Sequence, residues 1–483
     1  MKYHEDDNKE VQETALKREL DVFDLTIIGV GGIVGAGIFV LSGQAAAMYA
    51  GPAVVLSFAI AGGCCTIYAL CFAELSTMVT DTGSAYTYAR LAFGNFVGWI
   101  VGWSLVAEYL FCVSAVSVGW SGYASEIFQQ LGVPLSSRWS TPPLAFDENH
   151  NIYFTGAVLN GPAVFLVVFA SIIVGLGVRM SAIVAKVSVL IKLGVIATFL
   201  ACGMFFIHGE NYSPFVPENK EGDFKDFGHF GWSGVLRGSS IVFFSYVGFD
   251  AITTAASEAK DPSNDLPNSI FLSLGISTAL YMLVAFVMCG LVSYTALGVA
   301  DPILVAVKAA GPGLSWLVPL IAVAVVVGLP GVVVVSLYAV TRVLYVMALD
   351  GMLPRQFQEV NETFSSPMFS TGFAGVLAAI IAALFPISAI AEFVSIGTLL
   401  AFAVICYAVV SLREKRPDMP RNYRVPFSPY LPYAGMVIAV SQILFLPWMA
   451  WVRMLFWILM GLVIWYFYGN RVEEKPYSYD RVE

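Results

Sequence analysis

Residues 29–39 read GVGGIVGAGIF, and five of these eleven residues are glycine. They lie inside an apolar run from Leu25 to about Ala47. A membrane-spanning helix needs roughly 20 such residues. Glycine weakens a helix interior by up to about 1 kcal/mol relative to alanine. This span is therefore weakest at its centre. One explanation is packing: Gly31 and Gly35 are four apart, the spacing that lets membrane helices approach closely. The other is a deliberate interruption where backbone meets a ligand.

The rest of the chain places that run in context. Of 483 residues 58% are hydrophobic and only 12% charged, with a mean hydropathy of +0.77. That is the profile of an all-α polytopic membrane protein. Twelve apolar segments are long enough to span: 25–47, 52–79, 96–128, 161–178, 183–207, 233–255, 270–295, 313–347, 369–388, 391–412, 431–447 and 450–468. Residues 1–20 lack the apolar core of a signal peptide, so the first span is expected to act as the insertion signal and to stay. With the N-terminus inside, 17 Lys and Arg residues fall on the cytoplasmic side and 5 outside, which predicts that both termini are cytoplasmic. The densest cluster, REKRPDMPRNYRVP at 413–426, reads as a topology determinant. No P-loop, metal-ligand spacing or nucleic-acid motif is present, and all seven cysteines lie in apolar stretches as packing residues.

A second weak helix occupies a matching position. Span six, SSIVFFSYVGFDAITTAASEA (239–259), carries Gly248 and Asp250 at its middle. Spans one to five and six to ten then form two halves of opposite orientation, and paired interruptions in inverted halves mark a transporter binding site. Unwound backbone persists in a membrane only where it lines a cavity. Free N–H groups at the start of a half-helix suit a carboxylate, and carbonyls at the end of one suit an ammonium. A zwitterionic amino acid carries both.

Ionisable residues at membrane depth add candidates. Lys192 lies nine residues into span five, about 14 Å along the helix. It can release a proton or occupy the place of a metal cation. Glu108 in WSLVAEYLF could meet a cationic side chain or titrate, and Asp250 could carry a proton or bond the freed N–H groups beyond the break. Glu74 and Arg342 read as gate or topology residues, and Arg237 and Glu392 as solvated residues near external helix ends.

GVGGIVGAGIFVLSG, YALCFAELSTMVTDTGSAYTYA, LRGSSIVFFSYVGFDAITTAASEAKDPSNDLP, TRVLYVMALDGMLP and RNYRVPFSPYLP resemble the amino acid–polyamine–organocation superfamily, and within it the cationic amino acid transporter family in its bacterial twelve-span form. The resemblance implies a LeuT-type fold: a 5+5 inverted repeat plus two helices. It divides the chain into a cytoplasmic segment 1–24, repeats at 25–207 and 208–412, two further spans at 413–468 and a cytoplasmic tail 469–483. It implies import of L-amino acids, cationic or small neutral, by alternating access across the cytoplasmic membrane. Coupling would be to protons rather than sodium, with no other cofactor; the oligomeric state stays open, a monomer being one option. The alternatives are an exchanger or an amino acid sensor. The substrate carboxylate would meet the N–H groups of Gly35, Ala36 and Gly37. Its amine would meet carbonyls of Ile33, Phe244, Ser245 and Val247, with Glu108 facing the substrate. Lys192 and Asp250 would couple protons, Lys192 linking span five to the span-one break. Two stretches depart from the family's pattern: GLPGVVVVSLYAV (328–340), a valine-rich wall, and the loop RMSAIVAK (179–186), which lacks the usual polar residues.

Overall fold

The computed structural model describes residues 20–79, 83–146, 152–219, 227–253, 259–299, 301–361, 363–364, 366–446 and 448–469. Most of residues 1–24 and 469–483, the expected cytoplasmic segment and tail, lie outside them.

Every apolar run of the sequence forms helix within the described residues, and two of them are interrupted. The first helix, α1 (Val22–Ile33), stops at the glycine cluster. The chain bends at Val34 and Gly35 and resumes as a widened helical segment, Gly37–Ala50, with two π turns. Then follow α2 (Val54–Met78), the short α3 (Ala85–Phe93), α4 (Asn95–Gln130), α5 (Gly161–Gly175) and α6 (Val178–Gly203). The second broken helix begins as α7 (Gly231–Val242), tightens to a 3₁₀ turn at Phe243–Tyr246 and is interrupted at Val247–Phe249, where Gly248 has φ +115°. The remainder comprises α8 (Pro262–Leu291), α9 (Pro302–Ala309), α10 (Leu317–Leu349), α11 (Met368–Leu384), α12 (Ile387–Lys415), α13 (Tyr430–Leu444) and α14 (Trp448–Phe467). Eight helical stretches among the described residues are long and apolar enough to cross a membrane, and four shorter apolar helices accompany them. The one sheet among the described residues is a small antiparallel hairpin, β1 (Leu144–Phe146) against β2 (Ile152–Phe154), pairing Ala145 with Tyr153.

Both broken helices lie at the centre of the bundle. α1 packs on α8, and α4 packs along α10 and α12. The outer helices α13 and α14 carry exposed apolar faces, such as Leu444 and Phe456, as membrane-facing helices should.

The end of the bundle where α1 starts is tied shut. The backbone of Leu20 pairs with Ala259, and the Lys260 N–H donates to the Leu20 carbonyl at 2.9 Å. Asp21 caps α1 by accepting from the N–H groups of Phe23 and Asp24 at 3.0 Å, and the Asp24 bond in particular holds its carboxyl below the usual range. Lys186 reaches Asp24 at 2.8 Å, Ser84 meets Thr253 at 2.8 Å and Arg90 pairs with Asp350.

Two expectations need correction, and a third residue gains defined partners. The stretch RMSAIVAK is not a loop but the first turns of α6. Glu392 is not solvated: it is buried and its carboxylate accepts from Arg453 at 3.2 Å. Glu74 is fully buried and holds the basic 413–426 loop in place: Arg413 grips it with two N–H groups and the Val425 N–H adds a third bond at 2.7 Å.

Candidate functional site

The two interruptions face each other. A Cβ on Gly32 would come within 3.2 Å of the Gly248 carbonyl oxygen, and one on Gly248 within 3.0 Å of Gly32. A Cβ on Gly37 would collide with Ser245. Glycine at 32, 37 and 248 is therefore what lets the breaks touch, and Gly248 alone also needs the left-handed backbone. The N–H groups of Gly35, Ala36 and Gly37 open the second half of the first helix. The first N–H groups of a helix have no partner within it. They are buried and offer the positive end of a helical segment.

The carbonyls left by α1 are met by two side chains. Lys192 Nζ donates to the carbonyls of Gly31 and Val34, at 3.0 and 2.6 Å. Its side chain is only 1% exposed, so the ammonium is held among backbone oxygens rather than reaching solvent. The Tyr281 hydroxyl lies 2.7 Å from the Ile33 carbonyl oxygen and 2.6 Å from that of Ser245. With one proton it donates to one at a time, so it can alternate between the broken helices. These are two of the carbonyls expected to hold a substrate amine. No pattern distinguishes a lone tyrosine in an apolar span, and sequence reasoning missed it.

The proline-containing stretch of α10 also has a specific task. A Cβ on Gly328 would lie 2.5 Å from Lys192 Cγ, and one on Gly331 would strike Ser188. The two glycines form the slot that admits the lysine stem. Pro330 cannot donate to the Val326 carbonyl one turn back, and the Trp120 indole N–H takes that acceptor at 2.8 Å. Two residues onward Val332 stands 3.3 Å from the place a Gly35 Cβ would occupy, giving the first break an apolar wall.

Glu108 and Asp250 are both fully buried and near each other. Tyr109 donates its hydroxyl to Asp250, whose carboxylate also sits against the turn N–H groups of Gly248 and Ala251. Neither oxygen of Glu108 has a hydrogen-bond donor in reach, although Thr398 lies beside it; the Thr398 proton is engaged by the Val394 carbonyl at 3.0 Å. No ion pair joins Lys192 to either carboxylate among the described residues. The candidates therefore divide into a lysine at the first break and a carboxylate pair beyond the second. Arg342 stacks over the Tyr338 ring of its own helix at 4.4 Å. Among the described residues no His, Cys, Asp or Glu group could hold a metal ion.

Paired discontinuous helices that meet backbone to backbone inside an apolar bundle are the arrangement of a transporter binding site. The chain belongs to the amino acid permease family, whose model matches residues 20–476. It is 36% identical over 460 residues to the branched-chain amino acid permease BcaP of Bacillus subtilis, covering 95% of this chain and 94% of that one. It is 34% identical over 457 residues to the methylthioribose transporter of the same organism, covering 95% and 94%. It is also 35% identical over 410 residues to the vacuolar cationic amino acid transporter 4 of Arabidopsis thaliana, covering 83% of this chain and 64% of that one. The chain is thus a transporter of this family and not an enzyme.

Proposed function

We propose that this protein imports L-amino acids by alternating access, driven by protons and independent of sodium, as a twelve-span carrier with a 5+5 inverted repeat. The contact between the two interruptions carries the reading. Gly35, Ala36 and Gly37 present N–H groups to a carboxylate. Ile33, Phe244, Ser245 and Val247 surround the opposite side, where carbonyls suit an ammonium. An amino acid amine binding there takes the Ile33 and Ser245 carbonyls from Tyr281, so loading and release of the tyrosine are linked.

Lys192 supports sodium independence, because its ammonium already fills the carbonyl cluster where a metal cation would sit. Glu108 and Asp250 support proton coupling. Two carboxylates buried side by side cannot both be charged at low cost, so they exchange a proton as the environment around the break changes. Val332 against Gly35 favours an apolar substrate side chain, in keeping with the printed name of the branched-chain relative. The lysine and arginine bias supports a cytoplasmic position for the end tied by Leu20–Ala259 and Arg90–Asp350, with the opposite end outside.

Purified protein in proteoliposomes tests this. Labelled L-leucine or L-arginine is expected to accumulate faster with an inward proton gradient, and removing sodium should change nothing. Competition by L-leucine, L-arginine, putrescine and methylthioribose separates the substrate classes. A ligand without an α-carboxylate that competes as well as an amino acid would overturn the site at Gly35–Gly37, and sodium-dependent, proton-insensitive uptake would overturn the role given to Lys192.

A further inference from the structure

A second polar site lies between the central breaks and the outer end of the bundle. A cavity of about 90 Å³ opens there, walled by Leu41 and Gln44 from the second half of the first helix, by Ile241 at the end of α7, by α12 and by Arg453 of α14. That volume exceeds several-fold what one water needs. Its polar groups are of both signs: the buried Glu392 carboxylate and the Arg453 guanidinium, 3.2 Å apart, whose side chains are 9% and 22% exposed. Arg453 also donates to the Ala389 carbonyl at 3.0 Å, so it stays anchored when Glu392 changes partner.

Below this pair, α12 carries a polar line through otherwise apolar sequence. Ser388, Glu392, Ser395 and Thr398 follow one another at intervals of four, three and three residues, which places them along one side of the helix. The first three line the cavity, and Thr398 lies beside Glu108. One helix face thus carries polar groups from the cavity toward the carboxylate pair at the centre. Ile241 stands two residues before the 3₁₀ turn of the second break.

We propose that this cavity is an outer subsite for an α-amino acid zwitterion, with the ligand ammonium on Glu392 and its carboxylate on Arg453. The proposal rests on the amino acid transport reading above. A zwitterion suits the pair because it replaces each partner with a group of the same charge. Neither buried ion is left alone during the exchange, which is the costly event for an ion pair out of water. A ligand of single net charge and no counter-group would strand one of them. From here the substrate descends along Ser395 and Thr398 to the breaks.

The test is the sidedness of apparent affinity, measured on full-length protein in oriented proteoliposomes with labelled L-leucine and L-arginine. For Glu392→Gln the half-saturating concentration at the outer face should rise about tenfold while that at the inner face stays at the wild-type value. Glu392→Asp should restore most of the outer affinity. Gln44→Leu alters the opposite wall without touching the ion pair and should raise the outer value too, so the test stands if the pair variants fail to fold. An unchanged outer value in Gln44→Leu, or equal changes at both faces in Glu392→Gln, would show that the pair only pins α14 to α12. Wild-type protein that transports neither probe would overturn this proposal together with the transport reading; wild-type transport with unaltered variants would overturn this proposal alone.

Discussion

Lys192 of α6 places its ammonium 2.6 Å from the carbonyl oxygen of Val34, the residue at which the first helix breaks. The Gly31 carbonyl is its second acceptor at 3.0 Å. One side chain therefore satisfies two of the carbonyls that the interruption frees, and it ties α6 to the weakest point of α1. Replacing Lys192 by Met keeps the stem but leaves both acceptors buried and unmet, at about 1–3 kcal/mol each. Lys192→Met is expected to retain substrate binding in detergent while uptake loses its response to a proton gradient. Gradient-stimulated uptake equal to wild type would contradict the role.

The same lysine can be displaced without changing it. Gly328→Ala adds a methyl group 2.5 Å from Lys192 Cγ, closer than carbon atoms tolerate. The stem has to move and the Val34 bond lengthens. Gly328→Ala is expected to reproduce a weaker form of the Lys192→Met defect in coupled uptake, although it sits on a different helix and touches no substrate. Full coupled uptake in this variant would mean that the lysine position tolerates slack.

At Gly37 the constraint lies between the two halves of the site. An alanine Cβ there overlaps Ser245 across the paired breaks. Gly37→Ala should force the broken helices apart and cost at least tenfold in apparent affinity, which is about 1.4 kcal/mol. Ser245→Gly in the same molecule removes the Oγ and Cβ that overlap most but leaves the residue 245 Cα 2.6 Å from the new methyl group, so it should recover only part of the loss. Gly37→Ala with wild-type apparent affinity would show that the contact does not constrain the site, whereas no recovery in the double variant would assign the loss to the backbones of residues 37 and 245 rather than to the serine side chain. Uptake kinetics on single and double variants decide between them.

Much of this was legible in the sequence, and the remainder was not for identifiable reasons. The breaks were visible because glycine and an acidic residue in the middle of an apolar span have few uses. Lys192 was visible because nothing else explains a lysine so deep. The Glu392–Arg453 pair was not, since the partners are 61 residues apart and each stands close enough to a helix end to look solvated. Glu74 was hidden in the same way, its partner Arg413 being 339 residues distant. In GLPGVVVVSLYAV the valines drew the reading of a wall, and the part played by Gly328 and Gly331 went unread. Their use is to make room, and an absence of side chain cannot say which neighbour enters it. Tyr281 had no signal at all.

Glu74 carries a prediction about stability rather than transport. It lies fully buried at the end of α2 and accepts from Arg413 and the Val425 N–H, while Arg413 stays 28% exposed. Removing the carboxylate leaves Arg413 partly hydrated, and Arg421, 3.6 Å away and 4% exposed, keeps its bonds to the Leu412, Arg416 and Met419 carbonyls, so the loss is smaller than for a wholly buried pair without other partners. Glu74→Ala is expected to cost about 2–3 kcal/mol, read as a lower midpoint in thermal unfolding of the detergent-solubilised protein. Protein that remains folded should bind substrate with wild-type affinity, because none of these groups reaches the breaks. A large change in affinity at unchanged thermal midpoint would place Glu74 in the transport cycle instead.

For Glu108 the expected effects on stability and transport have opposite signs. Its carboxylate is buried, without a donor in reach of either oxygen, and shares its surroundings with Asp250. A charge in that position is destabilising, and a fold selected for stability alone would have no use for it. Glu108→Gln keeps the shape and removes the charge, so thermal unfolding of the empty protein should move up or stay level. Proton-driven accumulation should fall steeply, while exchange of substrate at equal pH on both sides continues. If Glu108 instead holds the side chain of a cationic substrate, the variant would lose L-arginine transport and keep that of L-leucine. Uptake of both amino acids, with and without a gradient, therefore tells a proton carrier from a specificity residue.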